Sequence, residues 1–332
     1  MPDPRPRGYV PRDVCRTAAR RRGVRAWEAG ARVSAAVPFA LVDVFADAPL
    51  AGNPLAVVAD AERLEEAVMP AIAREFNQSE TTFVLPPTRA EATCRLRSFT
   101  PAGAEVTGAG HNALGAWWWL ATTGRIPLDA EGGAAPMQEI GGRVLPVEVT
   151  GRGGRPDAIV MEQAPPDVGR TAADREQLAA ALGLSPVGGD LPDDAPAQVV
   201  STGAAHLLVP ARDRDAVDRA RPDAPRLEAV LAEAGGQGCY LYCLDAVDPA
   251  AVAHARFFNP TVGIHEDPAT GSAAGPLVSR LVAEGVVPDG ALAVVEQGHA
   301  MGRPSRIRVQ VTGDRVRIGG AAVVVAEGML TV

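Results

Sequence analysis

Three side chains able to carry protons stand out in this chain, two of them beside glycine-led turns. Glu80 lies in Asn77-Gln78-Ser79-Glu80-Thr81-Thr82, His111 in Gly110-His111-Asn112-Ala113, and Asp267 in Glu266-Asp267-Pro268-Ala269-Thr270-Gly271-Ser272. Glu80 precedes an apolar run, so its carboxyl could sit at a strand edge over a cleft, where partial desolvation raises its pKa toward acid/base duty. The plainer readings are a solvated residue at the start of a strand for Glu80 and a turn starter for Asp267-Pro268. His265, Glu266 and Asp267 resemble a metal cluster, but sequence neighbours seldom point at one ion, and no metal is expected there. His206, His254 and His299 carry no spacing signal and read as structural. All 32 basic residues are arginine. Without a lysine there is neither Schiff-base chemistry nor the phosphate-loop lysine, so proton chemistry has to run on other groups.

The turns that present these residues occur twice. Arg97-Ser98-Phe99-Thr100-Pro101, Glu105 and Gly110-His111 recur as Arg256-Phe257-Phe258-Asn259-Pro260, Glu266 and Gly271-Ser272. From the glutamate onward the copies share one register, which also pairs Leu120 with Leu281, Gly124 with Gly285 and Pro127 with Pro288. Each copy reads as a loop, an apolar helix, a glycine stop and a proline break. Two helix N-termini related by a pseudo-twofold would turn the N–H groups of Gly110-His111 and Gly271-Ser272 toward one ligand, and such a site suits a small carboxylic acid.

Elements to hold these turns are legible on both sides. Phe39–Phe45, Leu55–Ala59, Thr82–Leu85 and Cys94–Phe99 read as strands, and Ala61–Phe76 has helical spacing. The helix from Asn112 to Thr123 is apolar nearly all round, with Trp117, Trp118 and Trp119 as core filling, so a curled sheet should enclose it. Val144–Val149 has Ile307–Val311 as its counterpart in the second half. Residues 165–196, rich in Pro, Asp and Gly, read as a linker with a short helix over Ala172–Leu184. The second half repeats the plan with strands at Ala205–Val209, Cys239–Leu244 and Val252–Phe258, and a helix at Arg226–Ala234. The helix after Ser272 should hold Pro276 in its first turn.

Length and composition agree with two domains in 332 residues, 47% hydrophobic and 22% charged. No run reaches the ~18 apolar residues of a membrane helix. Net charge is −8, and the first 35 residues hold nine Arg against Asp3, Asp13 and Glu28, which leaves about −14 on the rest by subtraction. Nucleic acid is therefore not the expected partner. Residues 1–35 lack the apolar stretch of a secretory signal and read as an Arg-rich extension, either a disordered arm or the product of a start site placed too early. Cys15, Cys94, Cys239 and Cys243 do not suggest a disulfide framework, and a reducing cytoplasm fits.

Taken together, Val42-Asp43-Val44-Phe45, Gly52-Asn53-Pro54-Leu55-Ala56-Val57, Ser79-Glu80-Thr81-Thr82-Phe83, Phe99-Thr100-Pro101 with Glu105 and Gly110-His111, Glu266 to Ala273, and Glu296-Gln297-Gly298 with Gly302-Arg303-Pro304-Ser305 resemble the PhzF-like isomerase family of phenazine biosynthesis. The resemblance runs from about residue 38 to 330. It implies an α+β, diaminopimelate-epimerase-like fold of two pseudo-symmetric barrels, each a curled sheet around a central helix, with the active site between them. The barrels would span 36–160 and 161–332, with the last strand able to return to the first. It also implies a homodimer and cofactor-free proton movement on a small carboxylic acid. Glu80, His111 and Asp267 match the catalytic positions, and Ser79, Gly110, Gly271 and Ser272 the substrate-binding ones. Gly108 and Asn112 depart from the family pattern and put the pocket wall in doubt. Epimerases of the superfamily carry a cysteine before each glycine, where this chain has Ala109 and Thr270. Neither side chain exchanges a proton at neutral pH, which removes two-cysteine racemisation. The expectation is a one-base isomerase in which Glu80 moves the proton and His111 or Asp267 assists, with Asp267 orienting His111 rather than acting as a second base. An epimerase using Glu80 and Asp267 as opposed bases and a non-catalytic small-acid binder are the alternatives.

Overall fold

The apolar runs become strands because their β-branched and aromatic residues bury one or both faces, and the pairing of these strands is what repeats. The computed structural model describes residues 36–172, 174–185 and 189–332, so the reading of residues 1–35 lies outside the described residues. The described part belongs to one compact unit. In chain order its first strands are β1 (Ala36–Val44), β2 (Asn53–Val58), β3 (Glu80–Leu85), β4 (Cys94–Phe99), β5 (Glu105–Val106), β6 (Met137–Ile140), β7 (Arg143–Arg152) and β8 (Arg155–Gln163). There follow β9 (Asp167–Thr171), β10 (Gln198–Ser201), β11 (Ala205–Pro210), β12 (Gly238–Cys243), β13 (Ala253–Asn259), β14 (Ile264–Asp267), β15 (Leu292–Gln297), β16 (Ser305–Thr312), β17 (Arg315–Gly320) and β18 (Ala322–Thr331). The helices are α1 (Met69–Phe76), α2 (His111–Thr122), α3 (Arg175–Ala181), α4 (Arg214–Arg219), α5 (Ala224–Ala234) and α6 (Gly271–Ala283).

In the first half the pairs run β1–β2 antiparallel, β2–β3 parallel, β3–β4 antiparallel, β4–β6 parallel and β6–β7 antiparallel. In the second, β10–β11, β11–β12, β12–β13, β13–β15 and β15–β16 follow the same succession of directions. β8 pairs with both β7 and β17 and joins the two sheets. The strands at the ends are exchanged, since β9 pairs with β10 while β18 crosses to β1. Helix α2 packs against β1, β2, β3, β7, β8 and β18, and α6 against β10, β11, β16 and β17. Trp117 is fully buried and donates from Nε1 to Gln138 Oε1 at 3.0 Å, which gives the indole its one polar need inside the core.

The repeated sequence motif is a repeated structure. Arg97 donates from Nε and Nη2 to the two oxygens of Glu105 at 2.7 and 2.8 Å, and Arg256 does the same to Glu266 at 2.9 and 2.8 Å. Each guanidinium also lies over a phenylalanine two residues on, Phe99 and Phe258, at 5.2 and 4.9 Å from the ring centroid.

Three expectations change. The helix expected over Ala61–Phe76 is two short 3-10 turns followed by α1, because Leu64 is extended and Pro70, lacking an N–H, fits only the first turn of a helix. Pro276 is the sixth residue of α6 rather than part of its first turn, and it deprives the carbonyl of Ser272 of the usual amide donor. Residues 165–196 are not a plain linker, since they hold β9 and α3 and bury Leu178, Leu182, Leu184 and Leu191 in a core of their own with α5.

Candidate active site

Glu80 is the first residue of β3 and follows Asn77, whose left-handed backbone ends α1 and turns the chain back. Its Oε2 is sealed from solvent without a hydrogen-bond partner. Burial, helped by the nearby negative charge of Asp267, pushes its pKa up to about 8. Ser79, just before it, is half-buried. His111 opens α2, and its Nε2 is likewise buried and unpartnered. Desolvation lowers its pKa to about 4, so the ring is neutral at pH 7.

Asp267 ends β14 and is held on both sides. Oδ1 accepts from Asn53 Nδ2 at 2.8 Å, and Oδ2 accepts from Thr270 Oγ1. Its pKa rises to about 6 because burial outweighs those two hydrogen bonds, with Glu266 adding to the rise. Neither oxygen is bonded to His111, so Asp267 does not orient that ring. Asn53, at the start of β2, also donates to the carbonyl of Ala269 at 3.0 Å and so ties the first sheet to the loop that carries Asp267.

The motif around Gln297 is the support beneath this loop. Gln297 accepts from the Thr270 N–H at 3.2 Å and donates to the Asp267 carbonyl at 2.7 Å. Ser305 Oγ donates to the Pro268 carbonyl at 3.0 Å. Arg303 reaches the other way, to the carbonyls of Ala51 and Gly52, both at 2.8 Å, and to Asp43 Oδ1 at 2.6 Å.

The two helix starts are not equivalent. At Gly271 an added Cβ would meet Ile318 Cδ1 at 2.8 Å, so a larger residue there would have to push that side chain aside. Ser272 Oγ lies 3.1 Å from His206 Nε2. At the other turn Asn112, buried in α2, accepts the Gly110 N–H at Oδ1 (2.7 Å) and donates from Nδ2 to Ser98 Oγ and the Gly108 carbonyl, both at 3.0 Å. The expectation that the Gly110 N–H points at a ligand is therefore corrected, because the residue that departs from the family pattern satisfies that donor internally.

The strand registers locate the counterpart of each acid. Phe83 pairs with Arg97 and Leu241 with Arg256, which makes Gly238 the counterpart of Glu80. An added Cβ at Gly238 would meet the Phe257 ring at 2.5 Å. Phe99 pairs with Glu105 and Ser98 with Val106, while Phe257 pairs with Asp267, so Val106 is the counterpart of Asp267. Each acid is unique to its half. Tyr240, which sequence reasoning left without a role, is fully buried with its hydroxyl unpartnered, and burial together with Asp267 raises its pKa. Its only signal in the sequence was an aromatic in a fully apolar strand.

Fold and site define a class: an α+β protein of two pseudo-symmetric diaminopimelate-epimerase-like barrels, with buried carboxyls and a neutral imidazole at the mouths of their central helices. Residues 42–328 match the phenazine biosynthesis-like protein family, to which the chain therefore belongs. It is 37% identical to an uncharacterised isomerase of Mesorhizobium japonicum, over 88% of this chain and 98% of that one. It is 32% identical to the trans-2,3-dihydro-3-hydroxyanthranilate isomerase of Pseudomonas fluorescens over the same shares. The crystal structure of the Bacillus anthracis phenazine biosynthesis protein of the PhzF family superposes with a TM-score of 0.81 at 29% identity, covering 90% of this chain and all of that one. The chain is an enzyme, by class an isomerase.

Proposed function

We propose that this isomerase needs no cofactor and moves a proton on a small, cyclic, unsaturated carboxylic or amino acid of the trans-2,3-dihydro-3-hydroxyanthranilate type, in secondary-metabolite biosynthesis. One observation carries the reading. Glu80, poised near pH 8 with an unpartnered oxygen, has glycine as its counterpart in the second half. A single carboxylate suits removal and return of a proton on one face of the substrate. Ionised Glu80 takes a proton from an allylic carbon, the electron pair shifts along the adjacent double bond, and the same carboxyl returns the proton at the far carbon. Neutral His111 assists from the start of α2 as a hydrogen-bond donor or acceptor. The N-terminus of α6, with Gly271 and Ser272, holds the substrate carboxylate. Ser79, next to Glu80 in the chain, is a further contact to the substrate. Asp267 would be the second base of an epimerase, but its two oxygens are fixed by Asn53 and Thr270, which favours a positioning part.

We further propose a homodimer in the cytoplasm, supported by the family resemblance and by Cys94, Cys239 and Cys243, which are all buried free thiols. Among the described residues no helix is long and apolar enough to cross a membrane. The deciding experiment follows turnover of trans-2,3-dihydro-3-hydroxyanthranilate in deuterium oxide by NMR. The expected product has its double bonds shifted, with deuterium or the returned original proton at the receiving carbon. Product inverted and labelled at one carbon with its double bonds unmoved would replace this reading with the epimerase.

A further inference from the structure

Away from Glu80, three side chains that the proposed chemistry does not use converge. His254 in β13 and Glu296 in β15 are direct partners across a parallel pair, and His299 follows Glu296 by three residues in a 3-10 turn. One ligand atom from each lies within 4.8 Å of the others.

The hydrogen bonds around His254 pose a chemical question. Its Nε2 lies 3.2 Å from Asp218 Oδ1 and its Nδ1 2.7 Å from Glu296 Oε1. When Nε2 carries the proton for Asp218, Nδ1 turns a lone pair toward a carboxylate oxygen. At 2.7 Å that contact has room only for a proton, and an ion shared by the two side chains would part them to the ~3.3 Å between ligand atoms of a tetrahedral site with bonds of about 2 Å. A proton would leave His299 out of account, for its Nδ1 is buried without a hydrogen-bond partner. A metal ion would use it. The surroundings also suit an ion. Asp218 holds the far nitrogen of His254, and the N–H groups of Val247 and Asp248 donate to Glu296 at 2.6 and 3.0 Å, which is the outer support that metal-binding imidazoles and carboxylates ordinarily have. The carboxylates of Glu296 and Asp218 together balance a dication. The neighbouring Arg256 does not compete, because its guanidinium is paired with Glu266.

We propose that His254, Glu296 and His299 bind a borderline divalent transition metal of the Zn2+ type, with two nitrogens and one oxygen from the protein. His299 also lines a cavity of about 390 Å³, together with Asp218, Arg221, Arg256, His265 and Ala300, from which water would supply the fourth ligand. The ion clips β13, β15 and residues 247–248 together and takes no part in proton transfer at Glu80.

The test uses the full chain, freed of metal by a chelator and titrated with Zn2+ by calorimetry and with Co2+ by visible absorption. The expected result is one equivalent bound, ligand-field bands of a four-coordinate N/O site, and a rise in Tm with Zn2+. His299→Ala, which removes a ring with no hydrogen bond to lose, should fold normally and weaken binding by at least about tenfold, as should His254→Ala. If His254→Ala fails to fold, His299→Ala decides alone. Absence of stoichiometric binding, or equal affinity in wild type and His299→Ala, would overturn the proposal. So would nitrogen NMR showing both ring nitrogens of His254 protonated in the presence of Zn2+.

Discussion

Glu80 is the residue on which the proposed chemistry turns, and its environment makes two linked demands. A Glu80→Gln variant keeps shape but cannot exchange a proton, so kcat should fall by at least about a hundredfold while substrate binding persists. The same variant should be more stable at high pH. The folded pKa of Glu80 is raised from 4.5 to about 8, so the native state holds this proton more firmly than the unfolded chain between those values, and stability drains away as pH rises through that window. Glutamine removes the penalty. The expected Tm advantage is nil below pH 4.5 and a few degrees above pH 8, measured by thermal melts across that range. Retained turnover, or a Tm difference that does not vary with pH, would refute this role for Glu80. Glu80 could be singled out in the sequence at the head of an apolar run, and His111 and Asp267 beside glycine-led turns. Asn53, Gln297 and Asn112 stood in the motifs without a role, since what they do depends on partners brought together by folding. Asn53 and Asp267, for example, are 214 residues apart.

At the scale of elements, the site depends on short turns whose backbone leaves little choice. Gly298 has φ +82, and an added Cβ would meet the carbonyls of Arg303 at 2.3 Å and Pro268 at 2.6 Å. Gly298→Ala is therefore expected to lower stability by about 1–3 kcal/mol and to loosen the loop carrying Asp267. Denaturant titration measures the first effect and a raised KM the second, while an unchanged midpoint would contradict the packing described. Strands and the two central helices could be read from apolar periodicity. The helix expected at 61–76 failed where Pro70 intervened, and residues 165–196 were misjudged because Pro, Asp and Gly mark turns without saying whether the segments between them are buried.

The whole molecule is a duplication whose halves have kept their frame and parted in their chemistry. The paired Arg97–Glu105 and Arg256–Glu266 bridges preserve the frame, whereas Glu80 and Asp267 have the non-acidic counterparts Gly238 and Val106. Sequence spacing revealed the duplication, but only the strand registers show that it is one-sided at the site. The exchange of end strands has a consequence for how the chain could be cut and rejoined. β18 lies antiparallel beside β1, with Thr331 opposite Ala36, so the first and last of the described residues are neighbours. Joining them through a short Gly/Ser linker and opening the exposed Gly153-Gly154 turn between β7 and β8 gives a circular permutant that alters connectivity while leaving every ladder in place. Such a permutant of residues 36–332 should fold with a Tm within a few degrees of the parent and keep its turnover, with aggregation as the contrary result. On that outcome the order in which the sheets are threaded is incidental to catalysis, and the turn at Gly153-Gly154 accepts new chain ends.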